Sequence, residues 1–212
     1  MRLTLLIKKI RLSKKRYLGS EELNSFCSGL NLNYISSAKY LTKNRYLITI
    51  LKGFFYVPSL EERENNNIIP SYFELVKKAM EYKRVNNWYF GLESAIKLNN
   101  LTHEYFTIES LINDKIFRPN PIIINGRKIK FIKLKRELFD FGIIKKDINY
   151  SDLEKTILDF IYLAKYAGLN DNEIKYKVIE YVDEANKSKL RKYSNYYPKT
   201  VKKVVLRLLN DN

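Results

Sequence analysis

Apolar side chains recur along the chain in short periodic runs, separated by glycines, prolines and polar clusters. Leu3, Leu6, Ile7 and Ile10 fall at helical spacing and predict a first helix over 2–16. "GSEELNSFCSG" predicts a short second helix. Ser20 is its N-cap, Glu21 and Glu22 occupy the first turn, Leu23, Phe26 and Cys27 face inward, and Gly29 ends it. A third helix starts near Asn33. Ile35, Ala38 and Thr42, with Leu41 alongside, gather on one face, and Asn33, Ser36, Ser37, Tyr40 and Lys43 point the other way. "YLITILKGFFYVPS" then sets two β-branched and aromatic runs around Lys52-Gly53, a tight hairpin with a cation at its tip.

Helix, helix, turn, helix, hairpin is the order of a winged helix-turn-helix, with the hairpin as wing and Lys52 reaching for a phosphate. The expected DNA-binding domain is 1–58. The polar stretch 59–70 ends in Pro70 and predicts a linker. Residues 71–212 form a second domain. An amphipathic helix, "SYFELVKKAMEYK", leads it; "NWYF" and "YFTIES" predict strands on either side of the helix "GLESAIKLNN". Asn125-Gly126 between two β-rich runs is the strongest hairpin signal in the chain. Ser151 and Glu154 form a Ser-x-x-Glu capping box for a helix running to Gly168, and the last helix starts near Pro198. The expected fold class is α+β: an N-terminal winged helix-turn-helix, then a mixed α/β domain with a helical C-terminal end.

Composition adds limits. With 45% hydrophobic residues in 212, the chain can bury a core, and no apolar run approaches bilayer length. "MRLTLLIKKIRLSKKR" lacks the apolar block and cleavage site of a signal peptide, so the expected compartment is the cytoplasm, with no membrane partner. One cysteine, Cys27, and one histidine, His103, make neither a disulfide nor a zinc site. The net charge of +16 points to a polyanionic partner, duplex DNA in this reading. It is uneven: residues 1–58 hold eleven Lys/Arg against two carboxylates.

No Gly-rich phosphate loop is present. Gly19-Ser20 resembles the Gly-Ser of nucleotidyltransferases, but no acid follows between Glu22 and Glu61, so paired metal-binding carboxylates are missing. Asp152, Glu154 and Asp159 read as solvated carboxylates of a capped helix. The expectation is a non-enzymatic protein without metal or cofactor. Its DNA-binding residues are Asn33, Ser36, Ser37, Tyr40, Lys43, Arg45 and Lys52, small hydrogen-bonding groups and cations suited to base edges and phosphates. Two acid-free basic runs supply a secondary surface, Arg127, Lys128 and Lys130 in one and Lys189, Arg191 and Lys192 in the other.

The whole layout resembles the AbiEi family, antitoxins and autorepressors of type IV toxin–antitoxin systems. "LKGFFYVPS" is similar to the family's wing, with Phe55 where the family has tyrosine. "YFGLESAIKLNNLTHEYFT" resembles its aromatic-plus-helix segment, ending in Asn99-Asn100-Leu101-Thr102 without the family's His-Gly pair. "YSDLEKTILDF" resembles the start of its helical end. The resemblance implies a repressor of its own operator that counters a nucleotidyltransferase toxin, with direct contact to the toxin left open. Two other readings stand beside it: a free-standing winged-helix regulator with a sensing second domain, and an RNA-binding protein that uses its tyrosines for stacking.

Overall fold

The computed structural model describes residues 2–210. The chain is mixed α+β with a helical C-terminal end, and divides into two compact units: Met1–Arg84 with Ile123–Arg127, and Val85–Ile122 with Lys128–Asn212.

The first unit runs α1 (Arg2–Leu12), β1 (Tyr17–Gly19), α2 (Ser20–Ser28), α3 (Tyr34–Lys43), β2 (Ile48–Leu51), β3 (Phe54–Tyr56), α4 (Leu60–Glu64) and α5 (Tyr72–Tyr82). Helix α1 stops at Leu12, short of the expected 16. Lys14 turns left-handed (φ 53°) and the chain enters β1, which the sequence pattern had not revealed. Three residues with one buried side chain are too short to show alternation. The strands form one antiparallel sheet in the order β1-β3-β2, and the β2–β3 turn is Lys52-Gly53, with Gly53 at φ 78°. Gly19 takes the N-cap position of α2, and Ser20 is its first helical residue. Leu6, Ile10, Leu18, Leu23, Leu41 and Leu47 close the core.

The segment expected as a linker belongs to this unit. Ser59 caps α4 in a full capping box with Glu62. Glu62, 3% exposed, accepts from the Tyr56 hydroxyl (2.6 Å), the backbone N–H of Ser59 (2.7 Å) and that of Ile69 (2.7 Å), and pairs with Arg16 (3.2 Å). Burial pushes its carboxyl up, but these hydrogen bonds more than offset that and hold it below the ordinary value of 4.5. Helix α5 also packs here: the Tyr82 ring stacks on Phe54 at 4.3 Å and the Tyr17 hydroxyl donates to Glu74 (3.2 Å). The compact unit therefore extends to Arg84 rather than ending at 58.

The second unit holds β4 (Trp88–Phe90), α6 (Leu92–Leu98), β5 (Ile108–Asn113), β6 (Ile122–Ile124), β7 (Arg127–Lys133), β8 (Ile143–Lys145), β9 (Asn149–Ser151), α7 (Leu153–Tyr166), α8 (Asp171–Glu184), α9 (Lys187–Tyr193) and α10 (Lys199–Asn210); the β6–β7 tip, 123–127, groups with the first unit. The six strands run β6-β7-β5-β4-β9-β8, parallel for β5–β7 and β4–β9. The Asn125-Gly126 turn has φ of 46° and 78°, both positive as a two-residue hairpin favours. Tyr89 and Ile112 from the sheet join Ile157, Leu158 and Ile161 of α7 and Val178 of α8 in one core, which α10 closes with Val201 and Val205.

Helix α7 departs from expectation at its start. Its N-cap is Asp152, which accepts from the Lys155 N–H (2.9 Å); Ser151 lies in β9 and its hydroxyl meets that of Thr156 at 2.7 Å. Nor are its carboxylates all solvated. Asp159 is fully buried beside Lys155, which is also 0% exposed, at 3.6 Å. The hydroxyls of Tyr89 (2.8 Å) and Tyr197 (2.7 Å) donate to Asp159, and the Lys155 ammonium donates to Tyr197 (3.2 Å) and lies 4.6 Å from the Phe141 ring centre. Burial pushes Asp159 up and Lys155 down, each opposed first by the charge of the other. Gly142, at φ 63°, makes room: a Cβ there would lie 2.7 Å from the Lys155 Cβ.

Two outcomes follow for stability. Asp159→Leu strands a buried ammonium and is expected to cost about 3–5 kcal/mol, while Lys155→Met with Asp159→Leu together recovers most of that loss; urea unfolding of the two variants and the parent measures it. Glu62→Gln is expected to destabilise at neutral pH. Because the folded Glu62 titrates below 4.5, its contribution is full above that value and is lost as pH falls through the folded value. The gap in melting temperature between Glu62→Gln and the parent should therefore close on acidification.

Candidate nucleic-acid interface

Asn33 caps α3: its side-chain oxygen accepts from the Ser36 N–H at 3.1 Å, and the Ser36 hydroxyl lies 3.2 Å from the Asn33 carbonyl. Two expected DNA-reading residues are therefore engaged first in building the helix start. The inward face of α3 is anchored by Leu41 and, one turn earlier, by Ser37. Ser37 is only 2% exposed and bonds Cys27, whose thiol is pushed up by burial and partly restored by that hydroxyl. Ser37 is thus unavailable to a ligand, contrary to the sequence expectation. Ile35, expected inside, is 74% exposed. The outward surface of the helix consists of Ile35, Ser36, Lys39, Tyr40 and Lys43.

Lys52 is exposed at the β2–β3 turn, as the hairpin pattern had implied. Its carbonyl accepts from the Lys83 ammonium at 3.3 Å, so two cations share the turn. Lys83 follows α5 and had no local signal; only the packing of Tyr82 on Phe54 brings it there. Arg45 is exposed just past α3 in the left-handed region (φ 56°). The Tyr40 and Tyr46 rings stack at 6.5 Å, and the Arg63 guanidinium covers Tyr46 at 3.7 Å. Not all the N-terminal charge is free. Lys15 pairs with Glu22 (2.7 Å), and Arg16 bonds Tyr56 and Glu62.

The secondary surface divides. Lys128 and Lys130 are exposed on β7, Arg191 and Lys192 are exposed in α9, and the Arg127 guanidinium lies 5.4 Å from the Tyr72 ring centre. Lys189 does not belong with them. It bridges Asp152 (2.8 Å) and Glu154 (2.9 Å), and although burial opposes its charge, these two carboxylates raise its pKa. Its role is to tie α9 to the start of α7. Among the described residues, no group of three His, Cys, Asp or Glu is arranged to hold a metal ion, and no helix is long and apolar enough to cross a membrane.

No protein-family model matches the chain, and no curated protein matches it. Among solved structures, the crystal structure of the RV2827C protein from Mycobacterium tuberculosis is similar, with a TM-score of 0.57 at 10% sequence identity, over 99% of this chain and 76% of that one. At that identity the likeness is one of fold.

The two faces of α3 respond differently to substitution. Ser37→Leu overpacks the contact with Cys27 and is expected to lower stability by about 1–3 kcal/mol. Ile35→Ser, with its side chain in solvent, should stay within about 0.5 kcal/mol of the parent. Denaturant titration of both variants checks the orientation of the helix.

Proposed function

We propose that the chain is a DNA-binding autorepressor and antitoxin of a type IV toxin–antitoxin system, countering a nucleotidyltransferase toxin, and that its first unit is a winged helix-turn-helix. The observation that carries the DNA reading is the exposed α3 face of Ile35, Ser36, Lys39, Tyr40 and Lys43 in a unit whose β2–β3 turn carries Lys52 and Lys83. The order α1-β1-α2-α3-β2-β3 supports the winged form. The antitoxin role is supported by the AbiEi resemblance of the wing, the α6 segment and the start of α7.

In this reading α3 enters the major groove by its N-terminal half. Ser36 and Tyr40 offer hydrogen bonds to base edges, Lys39 and Lys43 reach guanine or the flanking phosphates, and Ile35 presents an apolar surface to a thymine methyl. Lys52 and Lys83 grip the backbone beside the groove and fix register without reading sequence. Occupying its own operator in this way blocks transcription of the gene pair. No step is chemical, so control of the toxin operates through binding alone.

Selection of a preferred duplex from random DNA, followed by titration, tests the reading. Affinity should fall on the order of 10- to 1,000-fold from low to physiological salt. Lys52→Ala should weaken selected and random duplexes equally. Ile35→Ala should weaken only the selected one, and replacing its thymines with deoxyuridine should remove that difference at the position contacted. Affinity that is flat with salt excludes the DNA reading. The antitoxin part is tested separately, by co-expression with an adjacent nucleotidyltransferase gene: growth arrest that this chain fails to relieve excludes it.

A further inference from the structure

The second unit carries a groove of about 720 Å³ between β7 and α7. This is the size of sites that hold small ligands, typically about 300–1,000 Å³. Its apolar wall is Leu92, Ile132, Leu134 and Leu163, with the Tyr162 ring beside them. At its mouth stand Phe117 and Tyr166, which are 68% and 86% exposed, a degree unusual for aromatic side chains with no partner to cover. Lys130, on the strand face of Ile132, and Lys135, just past the end of β7, are exposed, and no Asp or Glu lines the groove.

The walls are already formed. Ile132 and Leu163 pack against the core of the unit, and Leu134 is part of it. A ligand therefore meets a shaped apolar trough with ammonium groups on one wall. A neutral apolar molecule leaves those ammonium groups unused, and a cation meets like charge. A polar anion leaves the trough unfilled. An anion with a flexible apolar body satisfies both features, because the alkyl chain covers the trough while a lysine pairs with the head group.

We infer that this groove binds a free alkyl carboxylate, the chain lying along Ile132, Leu134 and Leu163 and the carboxylate held by Lys130, which shares the strand face of Ile132. The long lysine stems add apolar cover above the chain while their ammonium groups stay in water. The groove shares no residue with the α3 surface, and the inference does not depend on the DNA reading.

Calorimetric titration of the full chain with sodium decanoate, kept below its micelle concentration, tests the inference. One saturable site is expected. Hexanoate should bind on the order of a hundredfold more weakly, from about 0.8 kcal/mol per buried methylene. Decyltrimethylammonium, with the same chain and opposite charge, should give no saturable binding. Lys130→Glu changes only an exposed side chain and should weaken decanoate at least tenfold with the melting temperature retained. Tyr166→Ala, also at an exposed position, should weaken decanoate severalfold. Absence of saturable decanoate binding overturns the inference. So does equal binding of decyltrimethylammonium, or decanoate affinity unchanged in the Lys130→Glu protein.

Discussion

The first unit depends on where one carboxylate goes. Glu62 is buried, and a buried carboxylate is tolerated only when its oxygens are filled. Here they receive the Tyr56 hydroxyl from β3, Arg16 from the lead into β1, and two backbone amides from either side of α4. The short sheet that carries Lys52 is thereby fastened at its far end to a segment that looks like a polar connector. β3 and the lead into β1 are anchored at this point, through Tyr56 and Arg16.

The second unit solves the same problem with a full ion pair. Lys155 and Asp159 lie one turn apart on α7, and their burial is compensated by two tyrosines that come from β4 and from the segment before α10. Such a pair adds little net stability compared with a well-packed apolar pair, but it penalises any arrangement in which the tyrosines are misplaced. The pair therefore acts mainly on specificity. It fixes the rotation of α7, and with it which side chains of that helix turn toward β7. Tyr162 and Tyr166 follow Lys155 on the same stripe, two and three turns on, and Leu163 follows Asp159 by one turn, so the rotation that buries the pair also sets the residues that line the groove.

Much of the architecture was legible in the sequence. Lys52-Gly53 and Asn125-Gly126 announced their hairpins because turns with positive φ select few residues, and Asn33 marked the start of α3 because a cap needs a side-chain acceptor. What failed did so for identifiable reasons. Hydrophobicity alone turns the wheel of α3 toward Ile35; anchored on Leu41, the same wheel puts Ser37 inside. The Ser59-x-x-Glu62 box had the same form as the Ser151-x-x-Glu154 box, yet the first forms and the second does not. In the second, Ser151 is claimed by a strand and Asp152 caps instead. Lys83 and Lys189 lay beyond local reading altogether. The first reaches the turn through tertiary packing, and the second is neutralised by carboxylates more than thirty residues earlier in the chain.

Lys155 also has a chemical consequence. It is the one lysine among the described residues whose side chain is wholly out of solvent, with its ammonium held between aromatic rings and a carboxylate. Acylating reagents attack only a free, accessible amine, so the folded protein shields this nitrogen while its surface lysines react. Labelling of Lys155 thus requires α7 to separate from Tyr89 and Tyr197. The rate at which the label appears at that position counts openings of the second unit's core, on a background of surface amines that react whether the core is open or closed.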